Sequence, residues 1–125
     1  MIGKYYEIIP YADGLDLQKT YHRKVLEGKE DTLLLMQHPN VYTLGRRGKD
    51  SDILVDAKKL SSLKIETYHT DRGGEVTYHG PGQIIVYPII NLKRLGIKPT
   101  DYVNTLITGI EHFLSSYEIK SDNRT

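Results

Sequence analysis

The chain has 125 residues, 38% hydrophobic and 26% charged, a balance that fits one globular domain rather than a disordered chain. A net charge of +1 gives no electrostatic case for a nucleic-acid or acidic-membrane partner. The absence of cysteine excludes disulfides, cysteine–zinc sites and a cysteine nucleophile within these residues.

Residues 4–9 are aromatic and β-branched and read as a first strand ending at Pro10. Asp13 can cap a helix over 14–27. Within it Leu17, Tyr21 and Val25 recur every four residues on one face, and Gly28 is a natural stop. The apolar run 32–36 reads as a buried strand. His38-Pro39-Asn40 turns the chain into a further strand over 41–44, and 45–50 form a basic loop. Asp56 caps a short helix over 57–63, and 64–70 alternate as a strand. A glycine-rich segment follows, then the apolar run 84–90, the strongest strand of the chain. Pro99 and Thr100 start the last helix, where Val103, Leu106, Ile107, Ile110, Leu114 and Tyr117 share one apolar face. The polar end, 120–125, reads as a loop. Strands and helices interleave without strict βαβ alternation. The expected fold is α+β, with a mixed or antiparallel sheet and packed helices.

No apolar run reaches the ~18 residues of a membrane span. The first seven residues lack the layout of a signal peptide, so the expected location is the cytoplasm. The basic loop Gly45-Arg46-Arg47-Gly48-Lys49 lacks the spacing of a phosphate-binding loop and reads as a solvated turn. Asp50, Asp52 and Asp56 lack the glycine and glutamate of a calcium loop. Histidines 22, 38, 69, 79 and 112 form no metal-ligand pair, so no metal is expected. His38, preceding Pro39, reads as a turn organiser. No Gly-x-Ser-x-Gly elbow is present.

The segment 72–83 differs. Taken alone, Gly73-Gly74 and Gly80-Pro81-Gly82 read as turns. Arg72 precedes the first pair, however, and His79 follows in the same compact unit. If 75–79 is extended, Glu75, Thr77 and His79 share one face, and Val76 and Tyr78 the other. A row of carboxylate, hydroxyl and imidazole is expensive to bury and more useful beside a ligand.

Arg72-Gly73-Gly74-Glu75-Val76-Thr77-Tyr78-His79-Gly80-Pro81-Gly82-Gln83 resembles the signature of lipoyl (octanoyl) transferases, the octanoyl-[acyl carrier protein]:protein N-octanoyltransferases. The segments 38–46 and 87–93 are also similar to that family. Lipoate–protein ligases share the fold, but Thr77 before Tyr78-His79 and Gly80-Pro81-Gly82-Gln83 after it favour the transferase. The Gly-Arg-Gly-Arg loop of biotin ligases is absent. The resemblance implies a biotin/lipoyl protein ligase-like fold, no cofactor, and a two-step acyl transfer. An octanoyl group passes from acyl carrier protein to a cysteine. It then passes to a lysine on the lipoyl domain of a 2-oxoacid dehydrogenase or on the glycine cleavage H protein. By the same resemblance, Arg72, Gly73, Gly74, Glu75, Val76, Thr77, Tyr78 and His79 bind the acyl group and His79 sits near the reacting carbonyl; a polarising or orienting role for His79 is the hypothesis drawn from that place.

The family's lysine and cysteine lie downstream of the last helix, and this chain has no cysteine. The expectation is therefore a single truncated catalytic domain over 1–125, with the C-terminal part of the fold missing and no activity alone. It carries the acyl-binding half of a site, and self-association through an incomplete sheet is expected. The alternatives are a non-catalytic acyl-binding or partner-binding domain, or part of a split lipoate–protein ligase.

Overall fold

The computed structural model describes residues 1–122. The chain divides into two compact units, Met1–Ile90 and Asn91–Thr125. The first contains β1 (Ile2–Ile8), α1 (Tyr11–Leu26), β2 (Thr32–Gln37), β3 (Val41–Leu44), a 3₁₀ turn (Asp50–Asp52), α2 (Ala57–Ser62), β4 (Glu66–His69), β5 (Val76–His79) and β6 (Ile85–Ile89). The second contains α3 (Leu92–Leu95) and α4 (Pro99–Ser115). The α+β class expected from the sequence is what forms.

The strands of the first unit make two three-stranded sheets, ordered β1-β2-β6 and β4-β3-β5. Both are mixed. β2 runs parallel to β1 and antiparallel to β6, and β3 runs parallel to β4 and antiparallel to β5. Each parallel pair needs a crossover, supplied by α1 between β1 and β2 and by α2 between β3 and β4. The two central strands are consecutive, so the turn His38-Pro39-Asn40 leads directly from the middle of one sheet to the middle of the other.

On β2 the alternation is visible in burial: Thr32, Leu34 and Met36 are buried, and their neighbours half-buried. Val25, Leu34, Met36 and Ile89 form the core, with Tyr6, Ile9, Leu17, Tyr21 and Tyr87 packed around them. The four-residue spacing of Leu17, Tyr21 and Val25 thus identifies the inner face of α1 correctly.

The starts of α1 and β4 differ from the sequence reading. α1 starts at Tyr11 with Pro10 as N-cap, and Asp13 lies in its first turn. Proline has no N–H to satisfy, and Asp13 remains favourable beside the positive end of the helix. β4 begins at Glu66 because Lys64 adopts a left-handed backbone, φ 53°, as the chain leaves α2. The expected cap of α2 does form, with Asp56 Oδ1 accepting from the Lys59 amide at 2.8 Å.

In the second unit, α3 is capped by Asn91, whose side-chain oxygen accepts from the Arg94 amide at 2.9 Å, and closes on Gly96 at φ 65°. α4 begins with Pro99 at its first position. Ile107 and Leu114 are half-buried, whereas Val103, Leu106 and Ile110 are exposed. Tyr117 lies beyond the last helical residue, its ring 5.2 Å from that of Phe113. Of the polar end, residues 123–125 lie outside the described residues. No helix among the described residues is long and apolar enough to cross a membrane.

Candidate functional site

The site is built outward from Thr43 on the central strand β3, which is fully buried. Arg72 reaches it from the glycine-rich segment 29 residues away. Arg72 Nη2 donates to the Thr43 carbonyl at 2.6 Å and to its hydroxyl at 2.8 Å, and Nε donates to the same hydroxyl at 3.3 Å. The same guanidinium closes on its own loop, donating to the Gly73 carbonyl at 2.9 Å and the Glu75 carbonyl at 3.2 Å. The Thr43 hydroxyl in turn donates to the Thr77 carbonyl at 3.4 Å. A planar, five-donor cation suits this fork, and a lysine could not reproduce it. Arg72 therefore staples the loop to the sheet.

Gly45 explains how the loop comes so close. A Cβ there would lie 2.5 Å from the Gly74 carbonyl oxygen and 2.9 Å from that of Gly73, and backbone atoms cannot step aside. With no side chain, the Gly45 amide donates to the Glu75 carbonyl at 2.7 Å. The amides of Arg46 and Arg47 donate to the Arg72 and Gly74 carbonyls at 3.0 and 3.1 Å, and Arg46 Nε donates to the Asp71 carbonyl at 2.6 Å. The basic loop 45–48 is thus not a solvated turn but the brace of the glycine-rich loop. Gly74 itself sits at φ 90°, a conformation that suits glycine.

Beyond the loop, β5 pairs with β3 in the register Leu44↔Val76, Thr43↔Thr77, Tyr42↔Tyr78 and Val41↔His79. Thr77 and His79 therefore share the Thr43 face, as the alternation predicts, and Tyr78 takes the other, its ring 5.4 Å from that of Tyr42. The Tyr78 hydroxyl donates to Asn40 Oδ1 at 2.7 Å, passing over Gly80, where a Cβ would collide with that hydroxyl. Glu75 is exposed and lies 4.0 Å from Arg47 Nε, an ion pair of little energetic weight at the surface. His79 Nδ1 lies 2.6 Å from Gln83 Oε1. An amide oxygen only accepts, so Nδ1 carries the proton in this bond and the neutral ring keeps its lone pair on Nε2. The turn carrying Gln83 is pinned by the Gly82 amide donating to Gln37 Oε1 at 2.7 Å.

A cluster of rings surrounds His79. Tyr11 stacks with it at 6.3 Å between centroids and 12° between planes, and His38 approaches at 6.1 Å and 65°. His38 stands in the turn between β2 and β3, as expected, and is fully buried there. Its Nδ1 donates to the Ile9 carbonyl at 2.8 Å, so its Nε2 accepts from the Tyr87 hydroxyl at 2.9 Å. Burial lowers the His38 pKa below the ordinary 6.5, the bond to Ile9 opposes the shift, and His79 adds to it. Burial, with Tyr11 adding to it, raises the Tyr87 hydroxyl to about 12. Tyr11 is raised by burial, with Arg72 opposing and Asp71 assisting. Burial thus favours the neutral forms of His38, Tyr87 and Tyr11 at ordinary pH.

The structure thus brings Arg72, Gly74, Glu75 and Thr77 together through Thr43 and Gly45, and groups His79 with Tyr11 and His38. It separates Tyr78 onto the opposite face. Thr43, Gly45, Tyr11 and Tyr87 escape assignment from sequence because their partners are distant along the chain. Two open depressions, of about 740 Å³ beside Glu111, His112 and Lys120 and about 460 Å³ beside Lys4, Tyr21 and Lys24, lie among other residues. Among the described residues no group of three or more metal-ligating side chains is gathered.

A family model described as "Lipoyl protein ligase A/B catalytic domain" matches residues 10–125, which takes in β2 to β6 and every residue of the site. The chain belongs to the lipoyl protein ligase A/B catalytic domain family. Among curated members, the chain is similar to an octanoyltransferase of Bacteroides fragilis, 36% identical over 120 residues, covering 91% of this chain and 54% of that protein. An octanoyltransferase of Caldicellulosiruptor saccharolyticus is 50% identical over 93 residues, covering 74% of this chain and 40% of that protein. The mitochondrial octanoyltransferase of Arabidopsis thaliana is 40% identical over 114 residues, covering 90% and 48%. The chain spans about half the length of the curated relatives it matches.

Proposed function

We propose that this chain provides the acyl-binding part of an octanoyltransferase, acting on octanoyl-acyl carrier protein and on the lipoyl domains of 2-oxoacid dehydrogenases or the glycine cleavage H protein. The reading takes both compact units as parts of one catalytic domain, working in the cytoplasm and self-associating through the outer strands of its sheets. Its main support is the stapled loop: Arg72 and Gly45 hold the segment 72–79 against the sheet in one conformation, which is the pre-organisation an acyl pocket needs. The octanoyltransferase names of the relatives support the choice of acyl group.

In this reading the loop 72–75 and the β5 backbone hold the acyl group, with Thr77 and His79 on one face of β5 and Val76 and Tyr78 on the other. Arg72 contributes by holding the loop, since its fork is already engaged with protein oxygens. Transfer proceeds in two exchanges. A thiolate attacks the thioester carbonyl and the carrier's thiolate leaves. The lysine amine then attacks the new thioester, the amide forms, the thiolate leaves and the amine proton is lost. His79 Nε2, the nitrogen left with a lone pair, is suited to orient or accept that proton. The chain contains no cysteine, so the thiol comes from outside these 125 residues.

An assay with octanoyl-acyl carrier protein and an apo lipoyl domain tests the proposal. The chain alone should bind the acylated carrier more tightly than the unacylated one and transfer nothing. Transfer above background would remove the argument from the missing thiol. Equal binding of both carriers would remove the acyl site.

A further inference from the structure

Two of the rings packed around His79, those of Tyr11 and His38, come from outside the glycine-rich segment. We infer that Tyr11 and His38 are positioning residues for His79, so that the first turn of α1 is a working part of the acyl site. The inference rests on the reading of 72–79 as an acyl-binding loop.

Every polar valence of His38 is committed within the fold. Its Nδ1–H is used on the Ile9 carbonyl, two residues before Tyr11, and its Nε2 lone pair is used on the Tyr87 hydroxyl. In the neutral ring that burial favours, the Ile9 carbonyl fixes the proton on Nδ1 and leaves Nε2 to accept from Tyr87. His38 therefore has no proton to give and no freedom to rotate, and serves as a strut rather than a shuttle. α1 is shaped to receive it: a Cβ on Gly14 would lie 2.7 Å from His38 Cε1, so the ring occupies the space a side chain would take.

The strut ties the start of α1 to the two central strands. Tyr11 is buried, meets His38 edge-on at 5.2 Å and 72°, and lies nearly flat against His79. Tyr68 of β4 packs on Tyr11 at 5.2 Å. His79 is thereby held by Tyr11 across its ring plane, by His38 at an edge and by Gln83 at Nδ1. The nitrogen that none of these uses is Nε2, the atom the proposed transfer calls on. A hydrophobic side chain in place of Tyr11 would fill the volume but not fix the ring plane, since stacked aromatic pairs have a preferred geometry and aliphatic contacts do not.

The test is a histidine-selective NMR experiment on the full chain, reading the ring tautomers and Hε1 resonances of His38 and His79. In the unmodified chain both rings should show a protonated Nδ1. Tyr11→Leu should move the His79 Hε1 resonance, by removing the Tyr11 ring current, and mix the His79 tautomers, and Tyr11→Phe should restore the unmodified pattern. An unchanged His79 in Tyr11→Leu overturns the inference. Should Tyr11→Leu fail to fold, Tyr87→Phe decides: it removes only the hydroxyl donor to His38, and a His79 resonance that does not move overturns the inference equally. A separate titration with octanoyl-pantetheine tests the acyl reading. Shifts absent from 72–79 would remove that reading while leaving the effect of Tyr11 on His79 intact.

Discussion

Arg72→Ala should loosen the glycine-rich loop without unfolding the sheet. The lost bonds that matter are those to Thr43, because its carbonyl and hydroxyl are buried and water does not readily replace the donor. Hydrogen bonds from a charged donor contribute about 1.5–3 kcal/mol each, and two on one group are not additive, so about 2–4 kcal/mol of local stability is at stake. The bonds to Gly73 and Glu75 face solvent and add little. The chain has two compact units, so a single global unfolding energy is not the right readout. Amide exchange at Gly45, Arg46 and Arg47 is the suitable one, since all three donate to carbonyls of 72–75. At tenfold per 1.4 kcal/mol, protection should fall roughly 30- to 700-fold. Arg72→Lys should recover less than half of the loss, keeping the charge without the fork. Exchange within about twofold of the unmodified chain would refute the staple.

Gly45→Ala should destabilise the first unit by about 1–3 kcal/mol, because the added methyl meets backbone oxygens; an unchanged denaturation midpoint for first-unit probes would contradict the packing. His38 gives a pH dependence with a definite sign. Its folded pKa lies below 6.5, so below that pH the unfolded chain binds more protons than the folded one. Stability from this group is fully present above 6.5 and is lost as pH falls toward the folded pKa. Tyr11, His79 and Tyr87 are the titratable groups facing it, and the two tyrosines stay neutral throughout this range. Melting followed between about pH 7.5 and about pH 5 should show the loss, and His38→Gln should flatten it. Asp56→Ala should cost about 0.5–2 kcal/mol at the start of α2, read from exchange of the Lys59 amide.

What was legible in the sequence was local. The apolar run of β2, the four-residue spacing on α1, the Asp56 cap and the alternation of β5 each depend on neighbours a few residues away. The start of α1 lies before the one that Asp13, a good cap in isolation, suggests, because the buried Tyr11 and its ring partners begin the helix directly after Pro10. The turn at His38 is legible, but its burial and hydrogen bonds are not, because its partners, Ile9 and Tyr87, are 29 and 49 residues distant. The same separation hides the engagement of Arg72 with Thr43. The division into two sheets was hidden as well, since a short turn between two strands more often marks a hairpin than a passage from one sheet to another.

The central claim is that residues 72–79, braced by Arg72 and Gly45, hold an octanoyl group. Its most direct measurement is backbone chemical-shift mapping of the full chain titrated with octanoyl-pantetheine. Saturable shifts should centre on residues 72–79 and Gly45 and weaken when acetyl-pantetheine replaces the octanoyl thioester. Shifts centred instead on the depression beside Lys4, Tyr21 and Lys24, or equal responses to both thioesters, would contradict it.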